Sequence, residues 1–409
     1  MGAPAARVAE LSRLWAEEGH EVTVLTGFPN HPTGVVHPEY RVRLRRGVMR
    51  ENVDGLRVIR TWLLPLPNRR SWERILNYAS FCVSAAVCGT FLSRPDVVIA
   101  TSPQLLVGLS GWWLAFSKRV PFVFEVRDLW PESLAAVDSR KEDSWLYRAL
   151  AKLAGFLYRA ADRIVVVTPI FKDHLIKRWS VPPEKITVVE NGVEAELFHP
   201  GHDGLEIRRQ LNADGRLVVA YIGTIGMAHG LETLIDAAEQ LQSSAPHVDF
   251  WIIGEGAEKD PMVALARSRG LENVQFVDQQ PRERIPAYIC ASDVCLVLLR
   301  KNELFKTVLP TKMLEYMACS RPVLMNVDGH AREIVDAAKA GVFVAPGDAP
   351  ALAKAVMKLA DNESLRKVLG RNGRSYVLQR FTRRSSAEKY LDLLATLGET
   401  PKERSPVAA

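Results

Sequence analysis

Short continuous apolar runs alternate along this chain with helix-patterned segments, and that alternation constrains the fold more than any other feature. Glu21–Thr26, Leu56–Arg60, Val97–Ala100, Pro121–Val126, Arg163–Val167 and Ile186–Val189 read as strands in the first half. Leu217–Ile222, Phe250–Ile253, Val274–Val277, Val294–Leu299, Val323–Asn326 and Val342–Val344 repeat the pattern in the second. Strands apolar on both faces and separated by helices belong to parallel sheets covered on each side. With 409 residues the chain exceeds one ordinary core and fits two domains. The expected fold is therefore α/β, with two Rossmann-like doubly wound domains. The polar stretch Pro200–Asp214 reads as the linker. This gives domains over 1–203 and 204–375, a closing helix over 376–398 and a loose tail over 399–409. Ligands of open parallel sheets bind outside the carboxyl ends of the strands, so the site is expected in a cleft where the two domains face each other.

The segment Pro310-Thr-Lys-Met-Leu-Glu-Tyr-Met-Ala318 reads as a helix start. Proline at the first helical position loses an N–H that has no partner there anyway. Lys312 and Glu315, three residues apart, occupy neighbouring positions on one helix face. N–H groups, a cation and a carboxylate thus gather at one helix entrance, which suits an anionic phosphate beside a hydroxyl-rich ring. The same residues would equally suit an ordinary exposed helix carrying an i,i+3 ion pair.

Other segments weigh against that second reading. In chain order they are Gly2-Ala-Pro-Ala-Ala-Arg7, Thr26-Gly-Phe-Pro-Asn-His-Pro-Thr-Gly34, Arg127-Asp-Leu-Trp-Pro-Glu-Ser133, Asn191-Gly-Val193 and Ile253-Gly-Glu-Gly256. As an ordered set over residues 2–395, the chain resembles the retaining GT-B glycosyltransferases of family 4. The nearest subgroup is the O-antigen and colanic-acid transferases typified by a fucosamine transferase. The resemblance implies transfer of a sugar from a nucleotide sugar, UDP-linked, with an N-acetylated deoxyhexose as the expected sugar. It implies a lipid-diphosphate-linked saccharide as acceptor, retention at the anomeric carbon, and a closing helix that crosses back to the first domain. The family opens with a strand and a glycine-bearing loop ahead of Gly2. The first strand of the N-terminal domain is accordingly expected to be missing here, and an upstream extension to be more stable. Thr307 stands where the family's Glu-x7-Glu pair has its first glutamate. Ser320 replaces the usual glycine, and a left-handed cap costs a non-glycine residue about 1 kcal/mol, so that helix end is expected to be built differently.

For the donor, the resemblance assigns Glu315 to the ribose hydroxyls, since a carboxylate accepts two O–H bonds at once. Relief of diphosphate charge needs cations and preorganised N–H groups aimed at the leaving oxygens. Lys306, Lys312 and the backbone of Thr311 are the candidates, with the Gly223-Thr224 turn after a strand allowing close approach. Between Thr224 and Gly230 the family's cation pair is reduced to His229. Gly2 matches the family loop that covers the diphosphate from the other side. Asp128, just past the strand ending at Val126, could orient or deprotonate the acceptor hydroxyl, or cap the turn before Pro131. His31, in a loop rich in turn formers, could touch the sugar or acceptor. No Asp-x-Asp pair and no His/Cys/carboxylate cluster has metal spacing. Transfer is expected to be metal-independent, with no cofactor.

Composition narrows the partners. An apolar share of 47% with 24% charged residues is that of a globular protein. The net charge of +6 is unevenly placed: residues 41–74 hold ten arginines against Glu51, Asp54 and Glu73. Such a stretch invites anionic lipid or phosphorylated substrate, and no binding motif accompanies it that would point to nucleic acid. The uncharged run Ile75–Leu92 reaches the length of a membrane span. A strand follows at once, so the run reads as a buried or interfacial helix. Together with the apolar run Leu105–Phe116 it places the protein in the cytoplasm, peripheral on the inner face of the cytoplasmic membrane. The five cysteines read as buried, reduced thiols. A GT-B isomerase of the nucleotide-sugar 2-epimerase type and a non-catalytic nucleotide-sugar-binding protein remain the alternatives.

Overall fold

A computed structural model describes residues 3–30, 34–67, 70–132 and 144–398. The chain divides into two compact units, one comprising Asn191–Ser385 and the other joining the chain up to Glu190 with the segment from Ser386 onward.

The unit containing Asn191–Ser385 is built on one parallel sheet. Its strands are β8 (Leu217–Ile222), β9 (Val248–Ile253), β10 (Val274–Val277), β11 (Val294–Val297), β12 (Val323–Met325) and β13 (Gly341–Phe343). Their order is β10-β9-β8-β11-β12-β13, every neighbouring pair parallel. This is the doubly wound arrangement, in which the strand order reverses between β8 and β11. Successive residues of β8 feed opposite faces. Val218, Ala220 and Ile222 join one core cluster, while Leu217, Val219 and Tyr221 join the other. Helices cover both faces, which is why these strands are apolar throughout.

The expected linker around Pro200–Asp214 belongs to this unit. Phe198 and Ile207 are buried in its core, and Leu205–Gln210 forms a short helix. The Arg208 guanidinium donates to the carbonyl of Ala291 at 2.6 Å. These apolar anchors tie to the unit a stretch that composition marks as polar and that stays largely exposed. The division accordingly falls before Asn191 rather than after 203, and the chain leaves the unit after Ser385 rather than 375.

In the other unit, β1 (Thr23–Gly27), β3 (Leu56–Thr61) and β2 (Val48–Val53) form one sheet, with β1 and β3 parallel and β2 antiparallel to β3. A separate parallel sheet holds β4 (Val98–Thr101), β5 (Phe122–Val126), β6 (Arg163–Val166) and β7 (Ile186–Val188) in chain order. Among the described residues no strand joins β1 to β4. β2 lies inside the arginine-rich stretch and was not expected. Its sign is Asp54-Gly55, both at positive φ (52° and 83°), the two-residue turn that closes an antiparallel hairpin. The segment from Ser386 packs here. Ala387, Tyr390 and Leu393 of the helix Arg383–Gly398 share a core with Leu11, Leu14 and Trp15 of the helix Ala3–Glu17 and with Val123 and Val165.

Arg7 fixes that first helix. It lies on the face of Leu11 and Leu14 and is 1% exposed. Its guanidinium donates to Glu125 Oε1 at 3.0 Å and to the carbonyls of Val189 and Glu190 at 2.9 and 3.1 Å. Burial alone would raise the Glu125 carboxyl, but the charges of Arg7 and Arg127 outweigh it and hold it below its usual range. Arg7→Ala leaves a buried carboxylate and two carbonyls short of a donor, which costs about 3–5 kcal/mol. A urea midpoint within error of the parent's would contradict that arrangement.

The uncharged run forms the helix Ser71–Thr90, and no described helix is long and apolar enough to cross a membrane. All five cysteines are free; Cys82, Cys295 and Cys319 are buried, Cys88 and Cys290 half-buried.

Candidate functional site

The loops at the carboxyl ends of β8 and β9 are tied together. Gly223 N–H donates to the Ile253 carbonyl and Ile225 N–H to the Glu255 carbonyl, each at 2.9 Å. Gly223 (φ 144°) and Gly254 (φ 146°) take conformations that favour glycine, and a side chain on Gly254 would run into the Gly223 carbonyl. Next to this turn lies the helix Thr311–Ala318. Pro310 is its N-cap residue rather than its first helical residue, and no side chain caps the helix. At its other end Ser320 adopts φ 56° and Arg321 N–H reaches back to the Tyr316 carbonyl at 3.0 Å. The left-handed cap is therefore retained with serine in it, against expectation, because the returning hydrogen bond offsets the strain.

Lys312 is the central residue of this site. Its Nζ is buried without a hydrogen-bond partner and lies 3.9 Å from the centroid of the Tyr221 ring. A Cβ added to Gly223 would come 2.7 Å from that Nζ, so the glycine leaves room for it. Burial pulls the Lys312 amine down to about 7, with the nearby Glu315 charge acting against the shift. The i,i+3 ion pair considered from sequence does not form. Glu315 instead meets Arg282 Nη1 at 3.4 Å, and Arg282 reaches Glu194 at 3.6 Å and sits 5.2 Å over the Phe198 ring. His229 completes the group, with its ring 5.9 Å from Tyr221 and its Nδ1 3.3 Å from the Gly226 carbonyl. Burial and the Lys312 charge bring His229 down to about 4, so it is neutral at physiological pH and is no substitute for an arginine.

Thr311 begins the helix and Thr224 is exposed at the turn, its carbonyl accepting the Tyr221 hydroxyl at 2.6 Å. Lys306 stands apart on a 3-10 turn, half exposed and paired with Glu303 at 2.8 Å. Glu303 holds this side chain locally.

In the other unit Asp128 follows β5. Ser102 Oγ, just past β4, accepts from the Arg127 and Asp128 N–H groups at 2.7 and 3.4 Å. The Asp128 carboxylate is half-buried and makes no hydrogen bond to a described residue, so it does not serve as the turn cap. Burial pushes it up to about 6, opposed by the charge of Arg127. Glu132, which follows the cis Trp130–Pro131 bond, is bound to His174 at 3.0 Å and Arg178 at 2.8 Å. That pairing makes Glu132 a strut between its loop and the helix Pro169–Trp179. Gly2 and His31 lie outside the described residues.

Sequence reasoning missed Tyr221, Arg282 and Glu194. Tyr221 was accessible as the last residue of the Leu217, Val219, Tyr221 alternation, an aromatic at the lip of a glycine turn. Arg282 and Glu194 carry no local signal, since they reach Glu315 only through the fold.

Two family models account for most of the chain: "Glycosyl transferase 4-like domain" matches residues 2–192 and "Glycosyl transferases group 1" matches residues 203–376. The chain belongs to the GT-B glycosyltransferases of family 4 and is a hexosyltransferase-type enzyme. It is 27% identical over 301 residues to the probable glycosyltransferase WbjE of Pseudomonas aeruginosa, covering 73% of this chain and 74% of that one. It is 25% identical over 334 residues to WcaI of Escherichia coli, a putative colanic acid biosynthesis glycosyl transferase, covering 78% and 79%. Among solved structures, HepE of Anabaena in complex with UDP-glucose superposes with a TM-score of 0.69 at 18% identity, over 92% of this chain and 100% of that one.

Proposed function

We propose that this enzyme moves a sugar from a UDP-sugar, an N-acetylated deoxyhexose being the favoured one, to a lipid-diphosphate-linked saccharide during cell-surface polysaccharide assembly. The observation that carries the reading is Lys312: a buried amine without a hydrogen-bond partner, at an uncapped helix start, beside a glycine turn at the carboxyl end of the central strand. A diphosphate is the ligand that would supply its missing partner, and helix N–H groups add to the attraction. In this reading Lys312 and the Thr311 N–H take up charge building on the departing diphosphate, without a metal. The Gly223-Thr224 turn gives the phosphates close backbone approach. Glu315, held by Arg282, accepts the ribose hydroxyls. Asp128 orients or deprotonates the acceptor hydroxyl, and the sugar is transferred with retention. The relative WcaI, named for colanic acid biosynthesis, supports a polysaccharide product, and the HepE complex supports a uridine diphosphate donor.

Incubation with labelled UDP-sugar tests the reading. Label should pass to a lipid-diphosphate saccharide only when that acceptor is present, with retained configuration by NMR. Conversion of the sugar without acceptor would instead make the enzyme an isomerase.

Glu315→Gln should weaken UDP binding by roughly ten- to a hundredfold, the worth of a hydrogen bond to a charged acceptor of about 1.5–3 kcal/mol. The fold should persist, since Arg282 keeps Glu194. Calorimetry giving an unchanged dissociation constant would remove Glu315 from the site.

The arginine-rich stretch and exposed Trp62, Trp72, Val83, Val87 and Phe91 support a peripheral place on the cytoplasmic membrane face. Each basic residue near an anionic surface adds about 1 kcal/mol. Flotation should therefore recover more protein with anionic than with neutral vesicles, and equal recovery would refute the electrostatic part.

A further inference from the structure

The helix Ser71–Thr90 turns an apolar stripe outward. Leu76, Val83, Val87 and Phe91 are 44%, 64%, 57% and 84% exposed, and their spacing puts them on one face with Ser80. With Trp62 and Leu64 after β3 and with Val48 and Arg50 of β2, this stripe lines a groove of about 880 Å³. Leu76 to Cys88 spans about 18 Å of helix, more than the ~15 Å of one bilayer leaflet's hydrocarbon. A second, smaller recess of about 360 Å³ adjoins it, lined by Arg43, Arg46, Val48, Met49, Arg50 and Glu51. Val48 and Arg50 are walls of both.

The charges in that recess are uneven. Glu51 is taken by Arg60 at 2.5 Å. Arg43 meets the Met49 sulfur at 3.5 Å, whereas the Arg46 and Arg50 guanidinium groups make no hydrogen bond or ion pair with a described residue. Arg50 also acts on the Cys88 thiol inside the groove. An apolar channel thus ends at guanidinium groups with no acidic partner.

We propose that groove and recess together hold one lipid phosphate, its hydrocarbon chain along the Leu76–Phe91 face and its phosphate or diphosphate on Arg46 and Arg50. The inference rests on the lipid-linked acceptor reading and names where the carrier lipid sits. Guanidinium groups pair with phosphate oxygens two bonds at a time. A concave channel surrounds a single chain on several sides, which a flat bilayer face cannot exploit. A second copy docked through the same surface would set Arg43, Arg46 and Arg50 against themselves. Buried methylenes add up along the chain, so affinity climbs with chain length.

The test is titration of the full chain with a long-chain polyprenyl phosphate, a two-unit analogue and inorganic diphosphate, read by native mass spectrometry. One long-chain lipid should bind per chain, at least tenfold tighter than the short analogue, with inorganic diphosphate failing to displace it. Val83→Asp combined with Val87→Asp should lower that affinity at least tenfold. Arg46→Ala with Arg50→Ala should abolish the preference for phosphorylated over free polyprenol. In the unaltered chain, bound lipid should slow alkylation of Cys88. Equal binding of long and short lipids, unprotected Cys88, attachment to anionic vesicles without single-lipid binding, or a dimer that dissociates on adding lipid would each overturn the proposal. UDP affinity measured on the same samples reports separately on the donor site.

Discussion

Lys312→Met is expected to cut turnover by about 10²–10³, the usual loss when one preorganised donor to a developing oxyanion is removed, while leaving the protein no less stable at pH 7. A buried, unpaired amine is a burden to the fold, and methionine fills the same space and keeps favourable contact with the Tyr221 ring. The pH dependence has a definite sign. The folded-state value of about 7 lies below the ordinary 10.5, so between these limits the unfolded chain holds the proton more firmly. Stability contributed by this site therefore rises with pH from about 7 to about 10.5, and the variant lacks that rise. UDP affinity should move the opposite way. Above pH 7 a neutral amine must take up a proton to meet the diphosphate, so affinity falls by up to about tenfold per pH unit, and Lys312→Met flattens the profile. Calorimetry at several pH values together with urea midpoints reads both. A variant with parental turnover would take Lys312 out of the chemistry, and one that unfolds easily would make it structural.

Asp128→Asn should lower kcat by about 10²–10⁴, the range for loss of a general base, with UDP affinity unchanged. The parent rate should climb through pH 6, where the carboxyl ionises, and the variant should lack that limb. Here the folded value of about 6 exceeds the ordinary 3.8. The folded state binds more protons between those values, so the contribution of Asp128 to stability is complete below pH 3.8 and is lost as pH rises through 6. At pH 7.5 the variant should consequently be as stable as the parent or more so. A kcat within threefold of the parent's would return Asp128 to a packing role.

The sequence alone determined the α/β class and the strands of the doubly wound sheet, because a strand buried on both faces must be apolar at every position, and Val218 to Ile222 cannot be read otherwise. It also determined that Pro310 to Glu315 forms a helix entrance, since capping and spacing are local. It could not settle which of Lys306 and Lys312 is withdrawn from water. Both are lysines near a helix start, yet one is half exposed and paired with Glu303, whereas Tyr221, about ninety residues earlier in the chain, covers the other. The same limit explains Arg282 beside Glu315, Arg7 beneath Glu125, and Phe198 and Ile207 anchoring a polar segment. Burial and charge pairing are sums over neighbours distant in sequence, so the shifts at Lys312, His229 and Asp128 exist only once tertiary packing has brought those neighbours together.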